Sequence, residues 1–175
     1  IYYKKWDGKL EKVREFTTES NNYTTTRLAV GEYVLRQVAA QKESIQDKGY
    51  ATLGDISFTI VDKAEMQKVT GHQDHTKVEV EVIDKETGEK VEGAKFEIYY
   101  KKAGGGEEKV REFTTGAEKY TTTRLAVGEY ILRQVAAQKE SVQDKGYASL
   151  GDISFTIRDS SEVQKVTAHQ DHTKR

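Results

Sequence analysis

Residues 78–84, Val-Glu-Val-Glu-Val-Ile-Asp, alternate between apolar and acidic side chains over most of their length. Successive side chains of a strand point to opposite faces of a sheet, so this pattern predicts a half-buried strand with Val80 and Val82 inward. Residues 85–88, Lys-Glu-Thr-Gly, have the composition of a turn. A second strand is predicted beyond it, because Phe96, Ile98 and Tyr100 share one face.

Further short β-type segments follow this hairpin: 109–115, 120–123, 129–136, 153–157 and 163–167. Because Val110 and Phe113 fall on opposite faces of an ideal strand, we expect a bulge or burial on both faces there. The stretch from Leu125 to Tyr130 predicts a corner where the chain crosses between sheets and where a tyrosine hydroxyl bonds to nearby backbone. Residues 136–145 are interpreted as a long loop with room for a helical turn. Six or seven strands in about 100 residues predict a small antiparallel Greek-key sandwich.

This pattern occurs twice in the chain. Residues 1–78 align with residues 98–175 at an offset of 97, and 61 of the 78 aligned positions are identical. Residues 79–175 form one full period, whereas residues 1–78 have no counterpart of its first 19 residues. We therefore expect tandem sandwiches, with residues 1–77 as a repeat that lacks its first strand and residues 78–175 as a complete repeat.

Composition excludes several classes of protein. The chain has 28 Lys and Arg against 29 Asp and Glu, so it lacks the positive excess that is typical of nucleic-acid-binding proteins. It has no cysteine, which excludes disulfides, thiolate metal sites and cysteine nucleophiles. No apolar run approaches the roughly 20 residues of a membrane-spanning helix. We expect no cofactor and no enzyme activity.

Several segments together resemble a known family. Residues 84–88 followed by residues 91–99 resemble the opening of a Cna B-type domain, which SpaA-like pilin domains with the prealbumin-like fold share. Residues 125–132 resemble the family's Leu…Gly-x-Tyr-x-Leu segment, and Gly146-Tyr147 resembles its Gly-Tyr pair. The resemblance implies prealbumin- or Ig-like sandwiches in the stalk, pilin or adhesin repeats of Gram-positive surface proteins, outside the cell. Its implied partners are neighbouring copies of the same repeat.

The resemblance also implies a site where many family members form an internal Lys–Asn isopeptide bond promoted by a Glu. The family Lys corresponds to Val82, and the family Glu corresponds to Gln134, or Gln37 in the other copy. The family Asn falls near His169 or Gln170. Valine has no amine and glutamine cannot shuttle protons, so we expect no isopeptide bond at these substituted positions.

Other candidate sites have simpler interpretations. The four histidines, His72, His75, His169 and His172, are weak candidates for zinc or copper ligands, and a polar junction between repeats explains them better. The glycines at 104–106 indicate a turn, since no Gly-Lys-Ser/Thr sequence follows them. Asp55, Ser57 and His72 lack the sequence context of a catalytic triad.

The expected function is a structural stalk or fibre repeat that assembles head to tail by strand complementation. The alternative is an adhesive module for a host protein or glycan, with Tyr2, Tyr3 and residues 24–26 on its binding face. Because residues 79–97 occur once, they either open the second repeat or return to complete the first. A third interpretation is that residues preceding the segment in a longer chain supply the missing strand.

Overall fold

The computed structural model describes residues 1–38, 49–136 and 146–174. These residues form eleven β-strands, which confirms the all-β class expected from the sequence. Within the same three segments, no helix has the length and apolar character needed to cross a membrane. Residues 137–145 of the expected long loop lie outside the described residues.

The described residues divide into two compact units. The first unit comprises residues 1–38 and 52–73, and the second comprises residues 49–51 and 74–174. Residues 49–51 therefore pack with the second unit, although they belong to the first repeat in sequence.

The first unit contains one four-stranded antiparallel sheet. Its strands are β1 (Tyr2–Lys4), β2 (Leu10–Lys12), β3 (Gly31–Leu35) and β4 (Ile56–Ile60), in the order β2-β1-β3-β4. A tight turn joins β1 to β2, because the Gly8 N–H donates to the Lys5 carbonyl at 2.9 Å and Gly8 has a φ of 85°. A φ in this range favours glycine over residues with a side chain.

The second unit contains two sheets that form a sandwich. Its strands are β5 (Lys77–Asp84), β6 (Lys95–Lys101), β7 (Glu107–Thr114), β8 (Tyr120–Thr123), β9 (Gly128–Ala136), β10 (Ile153–Ile157) and β11 (Val163–Gln170). One sheet has the order β10-β9-β6-β7 and is antiparallel, and the other has the order β11-β5-β8. The sequence predicted only antiparallel pairing, but β11 runs parallel to β5 because the connection from β10 crosses to the other sheet.

The core of the second unit lies between its two sheets. Strand β5 alternates between half-buried and buried residues along its whole length, as its sequence predicts. The expected bulge lies at Val110, because Ile98 pairs with Arg111 while Tyr99 pairs with Lys109. The extra residue turns both Val110 and Phe113 into the core. The other buried members of this core are Val78, Val80, Val82, Val91, Ala94, Phe96, Ile98, Leu125, Tyr130, Leu132, Ile157 and Ala168.

The corner between β8 and β9 has the hydrogen bond expected from the sequence. The Tyr130 hydroxyl donates to the Ala126 carbonyl at 2.6 Å, and Tyr33 makes the same bond to Ala29 in the first unit at 2.6 Å. Each tyrosine thereby ties the start of its strand to the preceding corner.

Candidate functional site

The first unit has four described strands and the second has seven, and the three strands without a counterpart, β5, β8 and β11, form one sheet. In the second unit β8 pairs with β5 over Lys77–Val80, and β11 pairs with β5 over its full length. The described residues of that sheet are thus joined only through β5. A sheet of this order cannot form without its central strand, because each outer strand would lose its row of backbone partners.

Among its described residues, the first unit has no sheet of this kind. Residues 23–26 and 66–73 correspond to β8 and β11, and none of them belongs to a strand. Val69 is 41% exposed, whereas its counterpart Val166 is half-buried against the core of the second unit.

The inner face of the remaining sheet is also less covered in the first unit. Leu28 and Ile60 are half-buried, whereas their counterparts Leu125 and Ile157 are 1% and 0% exposed. Identical side chains therefore sit in a closed core in one unit and on an open face in the other. This open face of the first unit is the main candidate functional surface of the chain.

A pair of glutamines links the two sheets of the second unit. Both lie at positions that correspond to the family's isopeptide site, where no bond is expected. The Gln134 side-chain amide on β9 donates to Gln170 Oε1 on β11 at 2.6 Å, and the Leu150 N–H donates to Gln134 Oε1 at 2.6 Å. Gln170 is fully buried and also donates to the Ala148 carbonyl. Neutral amides can fill this buried space because nearly all of their polar atoms find partners.

The same pair is present in the first unit. The Gln37 amide donates to Gln73 Oε1 at 2.7 Å, and the Leu53 N–H donates to Gln37 Oε1 at 2.5 Å. The arrangement is therefore a property of the repeat and does not depend on β5.

The residues at the cross-link positions are placed as follows. Val82 is buried on β5 opposite Ala168 of β11. Of the two positions that the sequence left open for the family Asn, Gln170 faces Gln134, whereas His169 is exposed. Adjacent residues of a strand point to opposite faces, so only one of the two can reach the interior. Val82 and the two glutamines carry no amine and no carboxyl group.

A cluster that sequence reasoning missed surrounds His172. Its Nε2 lies 3.1 Å from Asp84 Oδ2, its ring stacks on Tyr147 at 4.7 Å, and the Tyr147 hydroxyl donates to Asp84 at 3.0 Å. Burial by itself raises the pKa of Asp84, but hydrogen bonds from the Glu86 and Thr87 N–H groups and from Tyr147, with the nearby His172, hold that pKa below its usual range. Burial and the bond to Asp84 raise the pKa of Tyr147 to about 12. Asp84, Tyr147 and His172 are far apart along the chain, so no local motif predicts that they meet. The repeated Asp-His pair at 74–75 and 171–172 is the one part of the cluster that stands out in the sequence.

One group in this cluster has the composition of a metal site. The ligand atoms of Glu86, Asp171 and His172 lie within 4.8 Å of one another. Lys85 and Lys174 both form ion pairs with Asp171, at 3.8 and 3.6 Å, and so compete with any cation for that carboxylate. This group of described residues contains His172 but none of the other three histidines; His72 and His169 are exposed, and His75 stacks on Tyr50 at 4.5 Å.

The remaining candidate residues have structural partners. Arg36 forms an ion pair with Asp55 at 2.8 Å and lies over the Tyr2 ring at 5.0 Å. The hydrogen bond from Arg36 lowers the pKa of Asp55, which is thereby committed to the arginine. Tyr3 packs edge-on against Tyr33 at 5.2 Å. These contacts give Asp55, Tyr2 and Tyr3 structural partners within the first unit.

Comparison with known proteins gives a family and a set of similar folds. The family model SpaA, described as a prealbumin-like fold domain, matches residues 76–172, which is more than half of the chain. No curated protein sequence matches the chain.

Among solved structures, the Bacillus anthracis TIE protein is 18% identical, with 82% of this chain and 25% of that chain covered and a TM-score of 0.49. The streptococcal ancillary pilin is 22% identical, with coverages of 85% and 44% and a TM-score of 0.47. The shaft pilin SpaA from Lactobacillus rhamnosus GG is 16% identical, with coverages of 75% and 61% and a TM-score of 0.44. The chain spans less than half the length of the first two.

Proposed function

Because the chain belongs to the SpaA family of prealbumin-like fold domains, we propose that it is a structural repeat of a stalk or pilus-like fibre on a bacterial cell surface. Domains of this family are structural proteins and not enzymes. The proposed work is mechanical: modules arranged in series project a more distant part of the fibre from the surface. Nearly identical repeats suit this work because they give nearly identical junctions.

The observation that carries the proposal is the open face of the first unit. Its side chains match those that enclose the core of the second unit, yet Leu28 and Ile60 remain half-buried and Val69 is exposed. An apolar face that lacks its covering sheet favours the addition of a strand from a partner. We infer that the first unit is completed by a strand of the β5 type, whose buried valines are Val78, Val80 and Val82.

The donor of this strand is a neighbouring repeat. Strand β5 of the second unit is paired on both edges, to β8 and to β11. Its removal would open the second unit in the same way, so β5 of this chain does not return to complete the first unit. Donation from one repeat to the next gives a head-to-tail contact, which extends into a filament unless the rotation closes a ring.

A peptide complementation experiment tests this proposal. A synthetic peptide of residues 78–97 is added to the full chain, and backbone hydrogen exchange is measured at residues 23–26 and 66–73. We expect the peptide to protect both segments, because it provides each of them with a strand to pair with. The matched control is the same peptide with Val80→Asp and Val82→Asp, which keeps the backbone but places charges on the inward face. Equal exchange with no peptide, with the peptide and with the control would refute the proposal.

A further inference from the structure

The second unit contains a junction that involves both repeats in sequence. The Thr76 N–H donates to the Gly49 carbonyl at 2.9 Å, and the Arg124 N–H donates to the Thr76 carbonyl at 3.1 Å. The Thr76 hydroxyl donates to the Leu125 carbonyl. Thr76 is fully buried, and Leu125 is 1% exposed. Gly49 and Thr76 thus dock as one face on the Arg124–Leu125 corner.

This junction leaves no space for a side chain at position 49. A β-carbon on Gly49 would lie 2.3 Å from the Leu125 carbonyl oxygen and 2.5 Å from the Arg124 carbonyl carbon. Both of these are backbone atoms, so no side-chain rotation relieves the overlap. Position 49 therefore requires glycine because the Arg124–Leu125 backbone lies so close to it, whatever the φ of the residue.

Both halves of the junction are repeated elsewhere in the chain with unchanged sequence. Residues 146–148 and 171–174 repeat the docking face, and residues 27–33 repeat the corner. The repeated face has the same backbone bond and ring contact, because the Thr173 N–H donates to the Gly146 carbonyl at 2.7 Å and Tyr147 stacks on His172 as Tyr50 stacks on His75. The Thr173 hydroxyl donates to the Gly146 carbonyl at 3.3 Å. The repeated corner has the same left-handed arginine, with a φ of 64° at Arg27 and 69° at Arg124.

In their second occurrence, both halves are accessible. Thr173 is exposed although Thr76 is fully buried, and Leu28 is half-buried although Leu125 is almost fully buried. The sequences are identical, so this difference in exposure arises because Thr76 and Leu125 contact each other, whereas, among the described residues, Thr173 and Leu28 have no such contact. The repeated face and the repeated corner are thus both more exposed than Thr76 and Leu125 are in the junction.

We propose that the face formed by Gly146, Thr173 and Lys174 of one chain docks on the Arg27–Leu28 corner of a second copy. On docking, the Thr173 hydroxyl turns from the Gly146 carbonyl and donates to the Leu28 carbonyl, and the Arg27 N–H donates to the Thr173 carbonyl. This inference names the contact of the proposed head-to-tail arrangement and rests on that function. The two surfaces differ, so the contact is heterologous and repeats from chain to chain.

The docked segment also sets the direction of the incoming chain. Lys77, the first residue of β5, pairs with Thr123, so Lys174 would pair with Thr26 in the docked copy. Thr173 and Lys174 then occupy the start of the path that β5 follows in the second unit. The contact is small, so association of the isolated chain is expected only at high protein concentration.

Cysteine trapping in the full chain tests the proposed register. The natural chain has no cysteine, so a chain carrying Thr26→Cys and Lys174→Cys can form disulfides only at the introduced positions. Under oxidised glutathione at high protein concentration, we expect a ladder of disulfide-linked species beyond the dimer on a non-reducing gel. The matched control carries Thr24→Cys and Lys174→Cys, which moves one thiol by two residues, about 7 Å if the segment is extended.

A second substitution tests the close approach. Adding Gly146→Ala to the trapping variant should abolish the ladder, because a β-carbon there would overlap the Leu28 carbonyl. Adding Gly151→Ala should leave the ladder unchanged, since nothing lies within 4 Å of a β-carbon at Gly151. Far-UV circular dichroism of each variant confirms that it remains folded.

The outcomes separate this inference from the proposed function. Equal ladders from the Thr26 and Thr24 variants, a ladder that survives Gly146→Ala, or monomer alone would overturn the docking contact. Protection by the residue 78–97 peptide would in those cases still support strand complementation. If the peptide does not protect residues 23–26 and 66–73, but the disulfide ladder forms and is abolished by Gly146→Ala, the docking contact is supported and strand complementation is refuted.

Discussion

Replacing Gln134 with leucine should destabilise the second unit, and the structure indicates by how much. Leucine has nearly the volume of glutamine, so the change removes hydrogen bonds while leaving little cavity. The Leu150 N–H loses its acceptor, and the fully buried Gln170 amide loses the donor at 2.6 Å. A buried polar group left without a partner costs about 1–3 kcal/mol. Because Gln134 is half-buried and water can reach part of the site, we expect a total loss of about 2–4 kcal/mol.

A double-mutant cycle separates the glutamine pair from the rest of the site. Gln170→Leu should be destabilising by itself, while the double variant should cost less than the sum of the two single changes. A coupling of about 1–2 kcal/mol is expected for two side chains in direct contact. Gln37→Leu is a matched control in the other unit, where Gln73 is only half-buried and the expected loss is smaller.

The assay is urea unfolding at equilibrium, monitored by circular dichroism. A loss of this size would lower the thermal midpoint of a domain of about 100 residues by about 10 °C or more. An unchanged urea midpoint for Gln134→Leu would refute the reasoning, since it would mean that the amide contributes nothing to the link between the sheets. Strict additivity of the two leucine substitutions would refute the pairing itself.

Three further results are expected. Intact-mass spectrometry should show no loss of ammonia or water from the chain, because Val82 and Gln134 stand where an isopeptide bond needs an amine and a carboxyl group; a deficit of either mass would contradict this. Asp84 has a folded-state pKa below its unfolded value, so its stabilisation is present above about pH 4 and is lost as the pH falls through the folded-state pKa. Asp84→Asn should therefore lower stability at pH 7 and flatten its acid dependence, and an unaltered pH profile would count against the cluster. Tyr130→Phe should cost about 1 kcal/mol in urea unfolding by removing the bond to Ala126, and no change would mean that this bond is not stabilising.

The sequence predicts most of the strands of the second unit because its signals are local. Alternation in residues 78–84 predicts β5, and the composition of residues 85–88 predicts the turn after it. The bulge at Val110 and the tyrosine bond at the β8–β9 corner were also predicted, since each depends on residues close together in the chain. The 97-residue repeat then marks β5 as the strand that lacks a counterpart in residues 1–78.

The tertiary structure alone decides which elements meet. It makes β5 the central strand of its sheet with β11 parallel to it, and it selects Gln170 over His169 as the partner of Gln134. It also brings Asp84, Tyr147 and His172 together. Strand order depends on pairing between segments that are distant in sequence. The alternation of side chains along one strand does not indicate which strands pair with it. Identical sequences can therefore be buried in one unit and exposed in the other, because burial depends on the partner that each segment finds.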